Sequence, residues 1–394
     1  MEIRPTTEHD RDTFIETLFA AFGRFPAEND RVWSALEMDR ALFAVTPEGR
    51  PVGTAAAYSF ELTLPGEAVV PAGGVTAVGV LPSHRRRGLL TAMMRHQLAD
   101  ARARGEFLSV LLASEAVIYR RFGYGPATTT HRLTVQRNQA ARRSTAVPAA
   151  GSIEVLRRAE CGELLEDVYD RYRRARPGAL SRPHRWWAAG AGQPPISAAP
   201  RYVALHRDPG GVPDGYATYL LDGTLTVDET IAADDAVATA LARFLLDHDL
   251  ATRVVFKQCP PDHPLRWQLA DFRAAEVSDE TDWLWVRLLD VPRALTARGW
   301  SADGDLVLDV EDPFLGEHGR YLLTVRDGTA ECVPTGREPD LSLDVTDLGS
   351  VYLGGVAPST LARAGHLRVH HADAAALADT LFRTERAPHC LHWF

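Results

Sequence analysis

Three arginines and a glycine, Arg85 to Gly88, are the residues of this chain whose types and spacing point most directly to chemistry. They stand between an apolar stretch at 75–80 and a run of leucines and methionines at helical spacing that starts at Leu89. This order aims the unpaired N–H groups of a helix start, and the guanidinium groups beside them, at one point. Gly88 has no side chain to keep phosphates away from the backbone. The pattern predicts binding of a pyrophosphate, and therefore of a nucleotide-linked cofactor.

A basic triplet alone is more typical of a solvated turn before a surface helix. The order of strand, proline, basic residues, glycine and helix is more specific than the triplet. It matches neither G-x-G-x-x-G nor G-x-x-x-x-G-K-[ST], so the dinucleotide-binding and P-loop interpretations have no support.

A second motif follows the helix. Residues 107–112 are predicted as a buried strand, and Tyr119 and the pair Gly123-Tyr124 come shortly after it. Here the sequence resembles the GNAT acetyltransferases, which carry R-x-x-G-x-[GA] in the cofactor loop and Y-x-x-x-G-[FY] after the next strand. Leu90 stands where a small residue is usual. The phrases HRRRGLLTAMM and LLASEAVIYRRFGYGPA resemble more closely the Eis (enhanced intracellular survival) family of actinobacteria.

The resemblance implies acetyl-CoA as co-substrate. In the family, a splayed strand holds the pantetheine and acetyl ends, the basic loop cradles the pyrophosphate, and the end of the next strand meets the cofactor from the other side. The residues of this chain that these roles implicate are Val78, Gly79, Val80, Arg86, Arg87, Gly88, Leu89, Leu90, Thr91, Ser114 and Glu115. Arg85 and His84 are expected at the rim.

Tyr119 is the predicted general acid, because a phenol with an ordinary pKa of about 10 can protonate a departing thiolate. Tyr124 occupies the terminal aromatic position of the motif and is assigned to packing. In the Eis family the C-terminal carboxylate acts as general base, and that role falls here on the α-carboxylate of Phe394. Its ordinary pKa of about 3.5 makes it a weak base in water, so the assignment requires a pocket that raises the pKa.

The acceptor pocket is where the chain departs from its relatives. Aminoglycoside-acetylating Eis proteins use acidic and aromatic residues from the first helical hairpin and from the penultimate position. The corresponding residues here are Phe22, Arg24, Phe25, Trp33 and Trp393. Arg24 and Trp393 stand where acids are expected, which weakens the attraction for a polyamine.

Four acidic residues near the hairpin are candidates to compensate, although each is more typical of a solvated helix charge. They are Glu28, Asp30, Glu37 and Asp39. The tryptophans at 186, 187, 283 and 285 are predicted to be core or interface residues rather than ligand contacts.

The predicted elements divide the chain into three parts of mixed α and β structure. Residues 1–145 follow the GNAT order with 132–135 as the last strand, and 146–290 form a second GNAT-like domain completed by 284–288. Asp234 and Asp235 replace the basic cradle in that second domain and would repel phosphate. Residues 291–394 resemble the sterol carrier protein fold, and their C-terminus is expected to reach the active site of the first domain.

Composition narrows the function further. An apolar content of 45% and a charged content of 24% are ordinary for a soluble globular protein, and the net charge of −9 argues against a nucleic-acid partner. The four cysteines are scattered, which predicts reduced thiols in the cytoplasm and no metal site. No signal-like h-region and no stretch of about 18 apolar residues is found, so no membrane span is predicted. A homo-hexamer is implied by the resemblance.

The sequence therefore predicts an acetyl-CoA-dependent N-acetyltransferase acting on primary amines of small polyamine-type molecules such as aminoglycosides. Two alternatives stay open: a protein-lysine acetyltransferase and a non-catalytic acyl-CoA-binding protein.

Overall fold

The computed structural model describes residues 2–26, 31–141, 145–189 and 200–394. Its strands are β1 (Glu2–Pro5), β2 (Leu42–Val45), β3 (Pro51–Thr63), β4 (Val69–Val80), β5 (Leu108–Leu112), β6 (Gly125–Pro126), β7 (Thr129–Gln136), β8 (Ser152–Arg157), β9 (Tyr202–Arg207), β10 (Pro213–Asp222), β11 (Thr224–Ala232), β12 (Arg253–Cys259), β13 (Ala275–Asp282), β14 (Leu284–Leu288), β15 (Gly304–Asp312), β16 (Glu317–Arg326), β17 (Thr329–Pro334), β18 (Leu341–Asp344) and β19 (Leu367–Val369). Its α-helices are α1 (Arg11–Ala21), α2 (Leu89–Ala103), α3 (Ala116–Arg120), α4 (Leu164–Arg174), α5 (His184–Ala189), α6 (Asp235–Leu246), α7 (Leu265–Gln268), α8 (Val291–Ala297), α9 (Val345–Tyr352), α10 (Pro358–Arg363) and α11 (Ala374–Phe382).

The first sheet has seven strands in the order β1-β2-β3-β4-β5-β14-β6 and lies between α1 and α2. Successive residues of a strand face opposite sides of the sheet, and β2 shows this directly. Phe43 packs against Phe14 of α1, with ring centroids 5.6 Å apart, whereas its neighbour Leu42 shares a core cluster with Met93 of α2. Both helices are therefore held by apolar stripes that meet the two faces of one sheet.

The first and second sheets exchange strands. β7, predicted as the last strand of the first sheet, lies in the second sheet, whose order is β13-β7-β12-β11-β10-β9-β8. β14, predicted to complete the second sheet, lies in the first sheet and pairs antiparallel with β5. Both predicted sheet assignments were therefore wrong. An apolar pattern fixes that a strand is buried, but it does not say which sheet receives the strand.

The third sheet, in the order β17-β16-β15-β18-β19, packs through α9 against the first sheet. The approach is close, because a Cβ at Gly349 of α9 would lie 2.2 Å from the carbonyl oxygen of Val286 in β14. A buried ion pair joins Arg287 of β14 to Asp312 at the end of β15. The prediction of mixed α and β structure in three units is confirmed.

The last twelve residues, after α11, run back along the second unit without regular structure. The His389 N–H donates to the Pro177 carbonyl at 2.8 Å, and Cys390, Leu391 and His392 are buried. This path brings Phe394 to the first sheet.

Candidate active site

A cavity of about 460 Å³ opens in the first sheet where β4 and β5 diverge. The two strands pair in parallel only at Gly73 with Ser109 and at Gly74 with Val110. Beyond Gly74, residues 75–78 of β4 and residues 112–114 at the end of β5 form two walls of the cavity. Because the two strands separate, the backbone N–H and C=O groups on their facing edges do not pair with each other and can bind a ligand.

An irregularity in β4 shapes this opening. The register with β3 shifts between Thr54 and Ala56, and Ala77 opposite them has a φ of +51°. The Thr54 hydroxyl donates to the Ala77 carbonyl at 2.9 Å. A bulge of this kind bends the strand and re-aims the residues that follow it.

Gly79, predicted to allow close approach of the cofactor, is required for another reason. A Cβ at this position would lie 2.9 Å from the Cβ of Ala21 and 3.5 Å from Leu18, both on α1. The glycine therefore admits the helix against the sheet. Of its two neighbours, Val78 borders the cavity and Val80 is half-buried.

The predicted cradle lies at the start of α2. Gly88 is the N-cap residue with a φ of +77°, and a Cβ there would meet nothing within 4 Å, so the space in front of the helix is open. The first N–H groups of a helix have no partner within it, so those of Leu89, Leu90 and Thr91 are available to a ligand. The Leu89 side chain itself belongs to the core.

The three arginines of the loop differ in their contacts. Arg85 fastens the loop to the end of α1, because its guanidinium donates to the Ala21 carbonyl at 2.8 Å and to the Val80 carbonyl at 3.2 Å. Arg87 donates to the Ser83 carbonyl at 3.1 Å, while Arg86 is exposed at a φ of +61°. Arg86 and Arg87 thus stand beside the open helix start.

Tyr119 borders the cavity from α3 and is 8% exposed. Burial raises the pKa of its phenol above the usual value, a hydrogen bond with Ser114 opposes that shift, and the negative charge of Glu115 adds to it. Ser114 and Glu115 are themselves exposed at the end of β5. The Tyr119 phenol therefore carries its proton at neutral pH.

Tyr124 lies behind Tyr119, with ring centroids 6.5 Å apart. It is fully buried, and its hydroxyl shares a hydrogen bond of 2.7 Å with Ser109. The side chain is enclosed by the core, as expected for a packing residue.

Phe394 reaches the same cavity from the opposite end of the sequence. Its ring packs edge-on against Phe60 and Tyr58, with centroids 5.0 and 6.4 Å away. Two residues earlier, the His392 carbonyl accepts a hydrogen bond of 2.8 Å from the Trp283 indole. Tyr119 and the chain's last residue, 275 positions apart in the numbering, thus meet at one cavity.

Four of the five predicted acceptor-pocket residues border the cavity, and the fifth does not. Phe22, Arg24, Trp33 and Trp393 are in its wall. Phe25 lies outside the wall, because its side chain is turned to solvent and the residue is 92% exposed.

The acids that were candidates to balance Arg24 are engaged elsewhere or undescribed. Glu37 accepts hydrogen bonds from the Ser59 backbone and hydroxyl at 3.0 and 2.6 Å, and Asp39 pairs with Arg104 at 3.4 Å. Glu28 and Asp30 lie outside the described residues.

Sequence reasoning missed several residues of the wall. Trp186 and Trp283, predicted as core or interface, both border the cavity, as do Phe19, Tyr58 and Asp282. Asp282 is held by the Trp285 indole, which donates to Oδ2 at 2.6 Å. Phe19 was within reach of sequence reasoning, since it stands one helical turn before Phe22. Asp282 and Trp283 were not, because they reach the site only through the exchange of β14.

The matching position in the second unit is closed. The Asp234 carboxylate accepts hydrogen bonds of 2.9 Å from both the Ala236 and Val237 N–H groups, which covers the start of α6. The adjacent Asp235 pairs with Arg386 at 2.7 Å. A phosphate would meet two carboxylates here rather than free N–H groups.

Comparison with known families gives matches along most of the chain. Residues 2–127 and 178–288 match two family models that are each described as an acetyltransferase (GNAT) domain, and residues 291–391 match the sterol carrier protein domain. Among the described residues, none of the helices is long and apolar enough to cross a membrane. Within the same ranges, no group of three or more His, Cys, Asp or Glu side chains could hold a metal ion.

Individual relatives agree with these matches. The chain is 37% identical over 356 residues to N-acetyltransferase Eis of Mycobacterium tuberculosis, covering 86% of this chain and 85% of that protein. It is 36% identical over 416 residues to an N-acetyltransferase of Streptomyces avermitilis, covering 100% of this chain and 99% of that one. The crystal structure of Eis1 from Mycobacterium abscessus superposes with a TM-score of 0.88 at 35% identity and full coverage of both chains.

Proposed function

The chain belongs to the Eis family of GNAT N-acetyltransferases, and from that premise we propose that it transfers the acetyl group of acetyl-CoA to primary amines of small polyamine-type molecules, such as aminoglycosides. The observation that carries this proposal is that Tyr119 and Phe394 border one cavity at the divergence of β4 and β5. The helix α2 follows β4, one wall of that cavity, and its open start beside Arg86 and Arg87 supports a pyrophosphate site.

We assign acetyl-CoA recognition to residues on both sides of the opening, that of β4 with the start of α2 and that of β5. The N–H groups of residues 88–91 and the guanidinium groups of Arg86 and Arg87 would hold the pyrophosphate. Val78, Gly79 and Val80 would accompany the pantetheine along β4, and Ser114 and Glu115 would meet it from the side of β5. Backbone groups that are not paired between the strands can hydrogen-bond to the amides of the pantetheine.

Tyr119 would act as general acid. Its raised pKa keeps the proton on the phenol, which can pass it to the thiolate as the new carbon–nitrogen bond forms and the carbon–sulfur bond breaks. The α-carboxylate of Phe394 would take the proton that the amine nitrogen loses. Packing against Phe60 and the hydrogen bond from Trp283 to the tail limit its movement, as a positioned base requires.

The wall of the cavity would bind the acceptor. Phe22, Trp33 and Trp393 offer aromatic faces, and Asp282 offers a carboxylate to an ammonium group. A cavity of this size is suited to a small-molecule acceptor rather than to the flat surface of a protein acceptor.

We also propose, from family likeness alone, a homo-hexamer in the cytoplasm. Light scattering on the purified protein would then give about six times the chain mass of 43.2 kDa.

The test of the proposed activity is release of coenzyme A from acetyl-CoA by the purified, untagged protein. The acceptors would be aminoglycosides, simple monoamines and a lysine peptide. Turnover with small amines is the expected result. Turnover with the peptide alone would support a protein-lysine acetyltransferase, and binding of acetyl-CoA without turnover on any amine would contradict the proposal.

A further inference from the structure

The charges of the cavity wall are unusual for a site that takes polycations. Besides the α-carboxylate of Phe394, the described side chains of the wall include one cation, Arg24, and one anion, Asp282, and the rest are apolar, aromatic or hydroxyl-bearing. Nine of these residues are aromatic, among them Phe22, Trp33 and Trp393. We propose that the preferred acceptor is a small amphoteric amine: one amine, an apolar or aromatic body, and an anionic group that pairs with Arg24. This inference rests on the amine acetylation proposed above and replaces its polyamine acceptor with an amphoteric one.

Arg24 is held in place by the way α1 ends. Gly23 has a φ of +66°, its N–H donates to the Ala20 carbonyl at 3.1 Å, and the Arg24 N–H donates to the Phe19 carbonyl at 2.9 Å. This pair of bonds is a Schellman ending, which fixes the backbone of the residue that follows the glycine. The position of Arg24 at the cavity therefore follows from the helix end rather than from a loose loop.

The guanidinium itself is available to a ligand. Arg24 is exposed, and no hydrogen bond or ion pair joins its side chain to any residue that the structure describes. The arginines of the neighbouring loop differ, because Arg85 and Arg87 donate to backbone carbonyls. A planar guanidinium in a partly apolar wall matches a carboxylate or another flat oxyanion.

The amine end of the acceptor has its own partners. Asp282 precedes β14, which pairs with β5, whereas Arg24 follows α1, which packs beside β4. Arg24 thus borders the cavity on the side of β4, and Asp282 borders it on the side of β5. If the amine lies beside Asp282, Tyr119 and the Phe394 carboxylate, the body of the acceptor can pack on the aromatic wall. Its anionic group can then pair with Arg24. A polycation would place a positive charge near Arg24 instead, which is repulsive.

The experiment compares three acceptors in the coenzyme A release assay: phenethylamine, its para-carboxylate and tobramycin. We expect the carboxylate to exceed phenethylamine by about two- to fivefold in kcat/KM, through KM, because an ion pair with an exposed arginine contributes about that much. The preference should shrink as salt is added.

Two variants of Arg24 and one control complete the design. Arg24→Gln should abolish the preference, and Arg24→Glu should reverse it and raise the kcat/KM of tobramycin by about tenfold. Arg50→Glu makes the same charge change on an exposed turn away from the cavity and should leave the ranking unchanged.

The outcomes separate this inference from the proposed function. If all three amines are acetylated and Arg24→Glu does not change their ranking, the amphoteric class is overturned while the amine acetyltransferase stands. If Arg24→Glu raises the KM of acetyl-CoA alone, Arg24 serves the donor and the inference fails. If none of these or the earlier amines is acetylated, the proposed function fails and the inference falls with it.

Discussion

At the scale of single residues, two tyrosines of one motif have opposite surroundings. Burial raises the pKa of both Tyr119 and Tyr124. Only Tyr119 borders the cavity, whereas the Tyr124 hydroxyl is tied to Ser109 inside the core. The spacing Y-x-x-x-G-[FY] therefore places one phenol at the cavity and the other inside the core. This difference leads to a direct test of the acid assignment.

Tyr119→Phe is expected to lower kcat by about 100-fold or more and to change the KM of acetyl-CoA little, since it removes the transferable proton and keeps the ring. Steady-state kinetics measures both constants. In the wild type, burial holds the pKa of Tyr119 above the ordinary value of a tyrosine, so its ionisation should not reduce kcat at neutral or mildly alkaline pH.

Tyr124→Phe is the matched control. It removes the bond to Ser109 and should cost about 1 kcal/mol of unfolding free energy while keeping turnover. Full activity in Tyr119→Phe, or loss of activity in both variants alike, would contradict the assignment of Tyr119 as the acid.

At the scale of elements, the site depends on how α1 and α2 meet β4. Gly79 lets α1 approach the strand, and Gly88 leaves the start of α2 open. These two glycines stand nine positions apart and serve different ends of the site, so the same substitution at each should have different effects.

Gly79→Ala should destabilise the fold by about 1–3 kcal/mol, because the new Cβ meets Ala21 at 2.9 Å and displaces α1. It should also raise the KM of the amine, since Phe22 and Arg24 follow that helix. Gly88→Ala meets no neighbour but is strained at a φ of +77°, by about 1 kcal/mol, and should raise the KM of acetyl-CoA instead. Chemical denaturation and substrate titrations measure these effects, and the same KM pattern in both variants would refute the division.

Sequence reasoning predicted the part of this site that depends on local sequence, but not the part that depends on how distant strands pack. The cradle, Tyr119 and Phe22 could be predicted because each depends on local order or on motif spacing. Asp282, Trp186 and Trp283 could not, because their places depend on the exchange of β7 and β14 and on the course of the second unit. Gly79 was predicted as a cofactor residue, whereas its role in admitting α1 against β4 is visible only in the packing of the structure.

At the scale of the whole molecule, all three units converge on the C-terminal tail. His392 packs against Phe60 of the first unit and against Tyr169 and Trp186 of the second, and its carbonyl accepts the bond from Trp283. Under the proposed mechanism, the three-part architecture predicted from the sequence therefore has a function, because it holds Phe394 at the same cavity as Tyr119.

Trp283→Phe removes the indole donor to the His392 carbonyl and keeps an aromatic ring in the wall. The loss of one hydrogen bond, about 1 kcal/mol, should lower kcat by about fivefold if the tail is the base, with the KM of acetyl-CoA unchanged. Trp267→Phe, at a side chain that is 79% exposed and outside the cavity, is the control. Equal kinetics in the two variants would show that this bond does not position the tail.

The most direct test of whether Tyr119 and the terminal carboxylate act together in one cavity is the kcat of a protein with a single glycine added after Phe394. The addition moves the carboxylate by one residue, about 3.5 Å, and changes no existing side chain. We predict that kcat with the best small amine falls by about 100-fold or more while acetyl-CoA binding, measured by calorimetry, is retained. A kcat equal to that of the unextended protein would contradict the joint action of the two groups.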